Sequence, residues 1–212
     1  LLPNSIDCLV GYYALAKAGL VRVGMNTRET VANHHYKLED SGARAVIHCE
    51  SSNFPVEINI NEADFSLMLA HSDDGCCSID RSLDAPLRLG YTGGTTGQAK
   101  AVTLTTRGEL AEMSAFLMDL VPDLEPQSSF LHAAPIAHAS GAFFLPALVR
   151  GVRSIVMKKF DPAAFILLAQ DSQATHTFLV PTMLAMILEE PSLEDAKLAF
   201  KKISYGASPI AP

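Results

Sequence analysis

The stretch of sequence that says most about the fold runs from residue 87 to residue 105 and reads LRLGYTGGTTGQAKAVTLT. Its two ends, Leu87–Tyr91 and Lys100–Thr105, predict two strands. The segment between them is rich in glycine and threonine, and glycines permit positive φ and let backbone amides approach a bulky anion. Successive amides in such a turn form an anion-binding concavity. The stretch therefore predicts a phosphate-binding loop between two strands.

Outward from this loop, strand-like and helix-like segments alternate along the chain. The further predicted strands are Leu20–Met25, Ala43–Cys49, Val56–Ile60, Ser129–Ala133, Val152–Met157, His176–Val180 and Lys202–Tyr205. Three helices are predicted from their caps: one begins at Asn4 or Ser5 and ends at Gly19, one runs from Thr30 to Asp40, and one runs from Thr106 to Leu120. The other predicted helices are Glu62–His71, Ala139–Val149, Pro162–Asp171 and Pro181–Glu190. This alternation predicts an α/β fold with a mainly parallel sheet and helices on both faces.

The composition is typical of a globular protein and excludes several other classes. Of the 212 residues, 49% are apolar and 18% are charged, which excludes a disordered or fibrous chain. The net charge of −7 and the lack of a long basic run argue against a nucleic-acid partner. No apolar stretch of about 18 uncharged residues occurs, so the sequence predicts no membrane-spanning helix.

Cysteine and histidine usage indicates neither a disulfide framework nor a metal site. Cys8, Cys49, Cys76 and Cys77 form no CxxC pair, so we expect reduced thiols in a cytoplasmic protein. The His, Cys and Asp residues show no zinc spacing, and we predict no structural metal. A Gly-x-Ser-x-Gly elbow does not occur in the sequence, which argues against a serine hydrolase.

The residue types of the loop suit a phosphate chain. Thr92, Thr95 and Thr96 can donate hydroxyl protons to phosphate oxygens, and Lys100 can neutralise charge on a leaving group. The loop is not a Walker loop, because two residues separate Gly97 from Lys100. It is not a dinucleotide fingerprint either, because no helix is predicted to begin at its third glycine. A flexible polar hairpin turn is the plainer interpretation of the same residues.

The loop resembles the signature of the AMP-forming acyl-adenylate superfamily, which contains acyl-CoA synthetases, luciferases and peptide-synthetase adenylation domains. The family pattern is roughly Thr-Ser-Gly-Ser/Thr-Thr-Gly-x-Pro-Lys-Gly-Val, and residues 92–102 read TGGTTGQAKAV. The sequence departs from the pattern at Gly93, Ala99 and Ala101, where the family has Ser, Pro and Gly. Loss of the proline predicts a looser loop end, since proline fixes φ. The added Cβ of Ala101 restricts backbone approach.

The resemblance extends over nearly the whole chain. The segments that share it are Leu2–Ser5, Met25–Arg28, Leu38–Arg44, Pro135–Gly141, Val180–Thr182 and Tyr205–Ile210. The run from His132 to Pro181 is closest to fatty-acyl or related carboxylate–CoA ligases. The resemblance implies two stacked α/β/α subdomains with mainly parallel sheets, residues 1–108 and 109–212, which form an incomplete part of the family's large N-terminal domain.

The resemblance also implies a reaction and a set of site residues. The family joins a carboxylate to AMP from ATP, releases pyrophosphate and passes the acyl group to a thiol, usually coenzyme A, with Mg²⁺ bridging the phosphates. By resemblance, Thr92, Gly93, Gly94, Thr95, Thr96, Gly97 and Lys100 hold the β- and γ-phosphates, and Gly206, Ala207 and Ser208 contact the adenine. His138, Gly141, Phe143 and Thr182 face the acyl substrate. His138 and Lys100 have catalytic roles in this scheme.

Plainer interpretations accompany these assignments. His138 can be a histidine at a helix start that bonds to backbone, and Phe143 can be an ordinary core aromatic. Thr182 can cap a helix. The segment from Gly206 to Ser208 can be a simple turn after a strand.

The resemblance implies that the chain is a fragment. The family's Tyr-Gly-x-Thr-Glu motif, its ribose-binding Asp and the smaller domain with its catalytic Lys are absent from the 212 residues. We therefore expect a fragment of a cytoplasmic ligase for a fatty or similar apolar acid, inactive alone, with a homo-oligomer as one expected assembly. The alternatives are a non-catalytic nucleotide- or acyl-binding relative, a phosphate-binding hydrolase that shares only the loop, and a structural oligomerisation domain.

Overall fold

The computed structural model describes residues 1–51, 53–73, 75, 79–92 and 98–209. The chain divides into two compact units, Leu1–Leu110 and Ala111–Pro212. The assignment of residues 1–108 and 109–212 to separate subdomains stays a prediction. The helices are α1 (Ile6–Lys17), α2 (Val31–Ser41), α3 (Glu62–Ala70), α4 (Thr106–Ala115), α5 (Ala139–Ala142), α6 (Phe144–Val149), α7 (Pro162–Ser172) and α8 (Pro181–Leu188). The strands are β1 (Arg22–Val23), β2 (Ala45–His48), β3 (Ile58–Asn61), β4 (Pro86–Thr92), β5 (Lys100–Thr105), β6 (Ser129–His132), β7 (Arg153–Val156), β8 (His176–Leu179) and β9 (Lys202–Tyr205).

Side-chain caps set the starts of several helices. Ser5, Thr30 and Asp161 each accept a hydrogen bond from a backbone N–H three residues on, at 3.0, 3.3 and 2.9 Å. Each cap satisfies one of the backbone donors that a helix start leaves unpaired. Gly42 ends α2 in the left-handed conformation, with φ of 63°. These local signals place the helices where the sequence pattern predicts them.

The first unit contains two small sheets. One has the strand order β1-β4-β5 and the other pairs β2 with β3. The pairs β1–β4 and β2–β3 are parallel, whereas β4 and β5 are antiparallel. Met25, Leu38, Val46 and Phe54 form a buried cluster in this unit. The cluster joins α2 to the strand β2.

The second unit contains one parallel sheet with the strand order β7-β6-β8-β9. The connection from β6 to β7 runs in one direction across the sheet, and the next two connections run in the other. Because parallel crossovers are right-handed, α5 and α6 cover one face while α7 and α8 cover the other. Phe130, Leu131, Phe165 and Leu179 are buried at the centre of this unit. The predicted α/β class with mainly parallel pairing is confirmed.

Some predicted elements differ from those observed. The predicted helix Ala139–Val149 is two short helices that meet at Phe143. Pro146 explains the break, because a proline lacks the N–H of a helix interior and is tolerated only in the first turn, here that of α6. The cap of α4 is Thr105 rather than Thr106, since the Thr105 hydroxyl accepts from the Gly108 N–H at 3.1 Å.

Two further predictions end differently. The helix predicted to reach Leu120 is α-helical to Ala115 and continues as a π-helical turn, Phe116–Leu120. The strand predicted at Leu20–Met25 is limited to the two residues of β1.

Cys8 and Cys49 carry free thiols, while Cys76 and Cys77 lie outside the described residues. Among the described helices, none combines the length and the apolar character that crossing a membrane requires.

Candidate active site

The strand pair β4–β5 sets two of the predicted phosphate ligands side by side. Thr92 ends β4 and Lys100 begins β5, and the antiparallel register pairs these two residues directly. The Thr92 hydroxyl donates to the Lys100 carbonyl oxygen at 3.4 Å, and both residues are exposed. The two residues at the ends of the predicted loop are therefore paired through their backbones and exposed to solvent.

The centre of the predicted loop lies outside the described residues. This applies to Gly93, Gly94, Thr95, Thr96 and Gly97, so their assignment to the phosphates stays a prediction. The strands that flank them are observed as predicted. The loop therefore connects two paired strands and does not open a helix, in agreement with the exclusion of a Walker loop.

The carboxyl ends of the strands in the second unit gather the other candidate residues. His138 follows β6, Thr182 follows β8, and residues 206–208 follow β9. Since these strands are parallel, their carboxyl ends share one edge of the sheet. The direction of the connections reverses at β6, between its neighbours β7 and β8. Open α/β sheets bind ligands at such a switch point, outside the carboxyl ends of the strands.

A tight turn after β6 presents His138. The His138 N–H donates to the Pro135 carbonyl at 3.1 Å, and the His138 carbonyl accepts from the Gly141 N–H at 3.1 Å. His138 is exposed at the N-terminus of α5. A Cβ at Gly141 would overlap the Ile136 carbonyl oxygen, so only glycine fits there. The turn explains Gly141 by packing, and its contact with substrate stays a prediction.

Phe143 lies in the core of the second unit. Its ring is 2% exposed and stacks on Phe130 and on Phe178, each with centroids 5.2 Å away. It also meets Phe116 at 4.8 Å. The observed contacts agree with the plainer interpretation of a core aromatic. The assignment of Phe143 to the acyl pocket stays a prediction.

The remaining predicted ligands lie at exposed positions after β8 and β9. Thr182 is the second residue of α8, and the residue that caps this helix is Val180, so Thr182 is not the cap. Gly206 is half-buried, whereas Ala207 and Ser208 are exposed. Ala207 has a φ of 74°, a left-handed conformation that costs a residue with a Cβ about 1–2 kcal/mol. This turn therefore holds its backbone in an uncommon shape at the carboxyl edge of the sheet.

Sequence reasoning missed two groups of residues near these positions. In the first unit, Tyr36 and Asp40 of α2 bond to the strand ends that carry the loop. In the second unit, His132 at the end of β6 is fully buried, and burial lowers its pKa to about 4. The spacing of Tyr36 and Asp40, one helical turn apart, indicates only that they share a helix face, and it does not reveal the strand ends to which they bond.

Comparison with known proteins agrees with the geometry. The chain matches the AMP-binding enzyme family over residues 1–212. It is 37% identical over 136 residues to the medium/long-chain-fatty-acid–CoA ligase FadD8 of Mycobacterium tuberculosis, a match that covers 64% of this chain and 24% of that protein. It is 30% identical over 220 residues to a feruloyl-CoA synthase of Amycolatopsis sp, which covers 98% of this chain and 43% of that protein. The chain thus spans less than half the length of these curated relatives.

A solved structure shows the same fold. The inhibitor-bound N-terminal domain of FACL13 from Mycobacterium tuberculosis superimposes with a TM-score of 0.90 at 24% identity, over 100% of this chain and 56% of that one. The two curated relatives are a CoA ligase and a CoA synthase, and the solved structure shares the fold of this chain. The chain belongs to the AMP-binding enzyme family, and the predicted resemblance to the acyl-adenylate superfamily is confirmed.

Proposed function

We propose that this chain is part of an ATP-dependent, AMP-forming carboxylate–CoA ligase, which makes an acyl-adenylate and then an acyl-CoA thioester. The observation that carries the proposal is the direct pairing of Thr92 with Lys100 across the β4–β5 strand pair. This register places a hydroxyl donor and a cation at the two ends of a loop whose residues match the family signature. The CoA ligases among the relatives support the reaction class.

The loop supplies charge stabilisation in the first step. A carboxylate oxygen of the acid bonds to the α-phosphorus of ATP, and the bond from that phosphorus to the pyrophosphate oxygen breaks. Negative charge grows on the departing pyrophosphate, where residues 92–97 donate hydrogen bonds and Lys100 supplies positive charge. One positioned donor of this kind contributes about 3 kcal/mol to transition-state stabilisation. Mg²⁺ bound with the nucleotide would neutralise part of the phosphate charge.

The ligand-binding edge of the second unit supplies the contacts for the acid and the adenine. His138 faces the acyl group and the α-phosphate, with Gly141, Phe143 and Thr182 on the acyl side. The backbone of residues 206–208 contacts the adenine, and the left-handed turn at Ala207 supports this assignment, because uncommon backbone shapes concentrate at functional sites.

The acid that we propose is a fatty or similar apolar carboxylic acid. The aromatic and aliphatic residues after His138 support this choice, as does the likeness to a medium/long-chain-fatty-acid–CoA ligase. The feruloyl-CoA synthase relative makes an aromatic acid the competing substrate. A panel of straight-chain and hydroxycinnamic acids, scored by pyrophosphate release, separates the two.

The test of the reaction is isotope exchange in the longer protein that contains this chain. Labelled pyrophosphate should enter ATP only when a carboxylic acid is supplied, since the exchange runs backwards through the acyl-adenylate. Exchange that needs no acid would indicate a phosphate-binding hydrolase. The isolated 212 residues should give no acyl-CoA, and a normal yield from them would contradict their assignment as an inactive fragment.

A second candidate function is a non-catalytic relative that binds nucleotide or acyl groups. The departures from the signature at Ala99 and Ala101 favour it, because both change the end of the phosphate loop. Such a protein binds an ATP analogue but shows no exchange with any acid in the panel. The cytoplasmic location and a homo-oligomeric assembly stay predictions.

A further inference from the structure

One face of helix α2 contacts both strand ends that carry the phosphate loop. The Tyr36 hydroxyl donates to the Ala99 carbonyl at 3.0 Å, and the Tyr91 hydroxyl donates to the Asp40 carboxylate at 2.6 Å. Tyr36 and Asp40 lie four residues apart, so their side chains project from the same face of the helix. Ala99 directly precedes Lys100, and Tyr91 directly precedes Thr92.

The contact around Tyr91 is packed as well as hydrogen-bonded. The rings of Tyr36 and Tyr91 meet edge to face, with centroids 6.4 Å apart and planes at 77°. The Lys37 ammonium lies 5.5 Å from the centre of the Tyr91 ring and is itself paired with Glu29 at 2.5 Å. Burial, together with the Asp40 carboxylate, raises the pKa of Tyr91 above its usual range, so its hydroxyl keeps the proton that it donates. The buried, hydrogen-bonded side chain of Tyr91 therefore anchors the end of β4 to helix α2.

The Ala99 contact matters because the family signature has proline at that position. A proline restricts the backbone through its ring, whereas an alanine leaves φ free. In this chain the carbonyl of the same residue is bonded to a helix side chain instead. A hydrogen bond from a packed helix restrains the peptide between Ala99 and Lys100, and with it the direction in which Lys100 leaves the strand end.

We propose that Tyr36 is a positioning residue for the nucleotide, which fixes the Ala99 carbonyl in place of the signature proline while Asp40 fixes the other strand end through Tyr91. This role rests on the proposed function, because it concerns the binding of ATP phosphates by Thr92 and Lys100. Tyr36 acts through the strand ends, and it is not itself assigned a contact with ATP. It therefore affects steps that depend on ATP and leaves the binding of the acid unchanged.

The test is a Tyr36→Phe substitution in the longer protein that contains this chain. We expect the KM for ATP in the exchange reaction to rise about 5-fold, the effect of losing one hydrogen bond, with the KM for the acid unchanged. A purely structural role would lower the melting temperature and affect both substrates alike. Binding of a non-hydrolysable ATP analogue, measured by calorimetry, should weaken by the same factor. That measurement does not require turnover.

Tyr12→Phe is the matched control. Tyr12 lies on α1 in the same unit, its hydroxyl bonds to Cys8, and its ring carries the Arg22 guanidinium at 3.8 Å. The Tyr12→Phe substitution removes a phenolic hydroxyl, as Tyr36→Phe does, and we expect no change in the KM for ATP. An equal change in both variants would overturn the proposal.

Restoring the signature proline supplies the second arm of the test. The double variant Tyr36→Phe, Ala99→Pro should regain most of the ATP affinity lost in Tyr36→Phe, because the ring fixes φ of the residue whose carbonyl Tyr36 binds. An ATP KM in Tyr36→Phe within 2-fold of the unsubstituted protein, or a double variant that folds but shows no recovery, would overturn the proposal. Failure of the unsubstituted protein to exchange label with any acid would instead overturn the proposed function.

Discussion

At the scale of single residues, Gly141 decides the shape of the turn that presents His138. The space that a side chain would need is taken by the Ile136 carbonyl oxygen, which is backbone and cannot turn aside. Gly141 therefore allows two backbone segments to approach closely, which a residue with a Cβ would prevent. The signature-like spacing of Pro135, His138 and Gly141 follows from this turn.

We expect Gly141→Ala to lower the free energy of unfolding by about 3 kcal/mol, because the added Cβ forces two backbone segments apart. Chemical denaturation measures the change. Gly206→Ala is the matched control, since its Cβ would meet the Phe178 ring at an ordinary 3.4 Å. Equal stability of the two variants would show that the turn adapts, contrary to the packing described.

The titration of His132 should make the free energy of unfolding depend on pH. It is buried beside Phe130, and its Nε2 has no hydrogen-bond partner among the described residues. Burial disfavours the imidazolium and lowers the pKa from 6.5 to about 4, although the Ser140 carbonyl partly opposes this. The unfolded chain therefore takes up a proton as the pH falls below 6.5, while the folded protein takes it up only near 4.

The free energy of unfolding should consequently fall as the pH is lowered through that interval, by roughly 2 kcal/mol between pH 7 and pH 5 from this residue. Urea unfolding at the two pH values measures the loss. His132→Gln removes the titration and keeps a polar side chain, so the difference between the two proteins isolates the histidine. Identical pH dependence in both would show that His132 is not buried in its neutral form.

At the scale of elements, the β4–β5 strand pair carries Thr92 and Lys100, the two ends of the proposed phosphate loop. We expect Lys100→Ala to slow pyrophosphate exchange about 10²–10³-fold, because a positive charge at the leaving group is lost. The melting temperature should stay unchanged, since Lys100 is exposed. Steady-state exchange rates and thermal unfolding give the two readouts.

Lys17→Ala, which removes an exposed lysine at the end of α1 in the same unit, is the matched control. It should leave the exchange rate unchanged. An active Lys100→Ala variant would contradict the role given to the strand pair.

The elements also show what the sequence could predict. Helices with strong local signals, such as the cap Asp161 before Pro162, begin where the pattern places them. The break at Phe143 was missed because the apolar pattern continues through it, although Pro146 was a visible signal. The bonds from Tyr36 and Asp40 to the strand ends join residues more than 50 positions apart, and no local pattern reports them.

At the scale of the whole molecule, the candidate residues divide between the two units. The proposed phosphate ligands Thr92 and Lys100 belong to the first unit, and the candidates His138, Thr182 and residues 206–208 belong to the second. The resemblance correctly predicted the family from short motifs, and several of them, such as Pro135–Gly141 and Val180–Thr182, follow strands. Strand register and side-chain burial could not be predicted in the same way, because they depend on contacts between residues that are far apart in the sequence.

The central claim is that the loop between β4 and β5 binds the triphosphate of ATP. A crystal structure of the longer protein with a non-hydrolysable ATP analogue and Mg²⁺ tests it most directly. We expect the β- and γ-phosphates on residues 92–97, with the Lys100 ammonium within hydrogen-bond distance. An analogue whose phosphates bind elsewhere while this loop stays empty would contradict it.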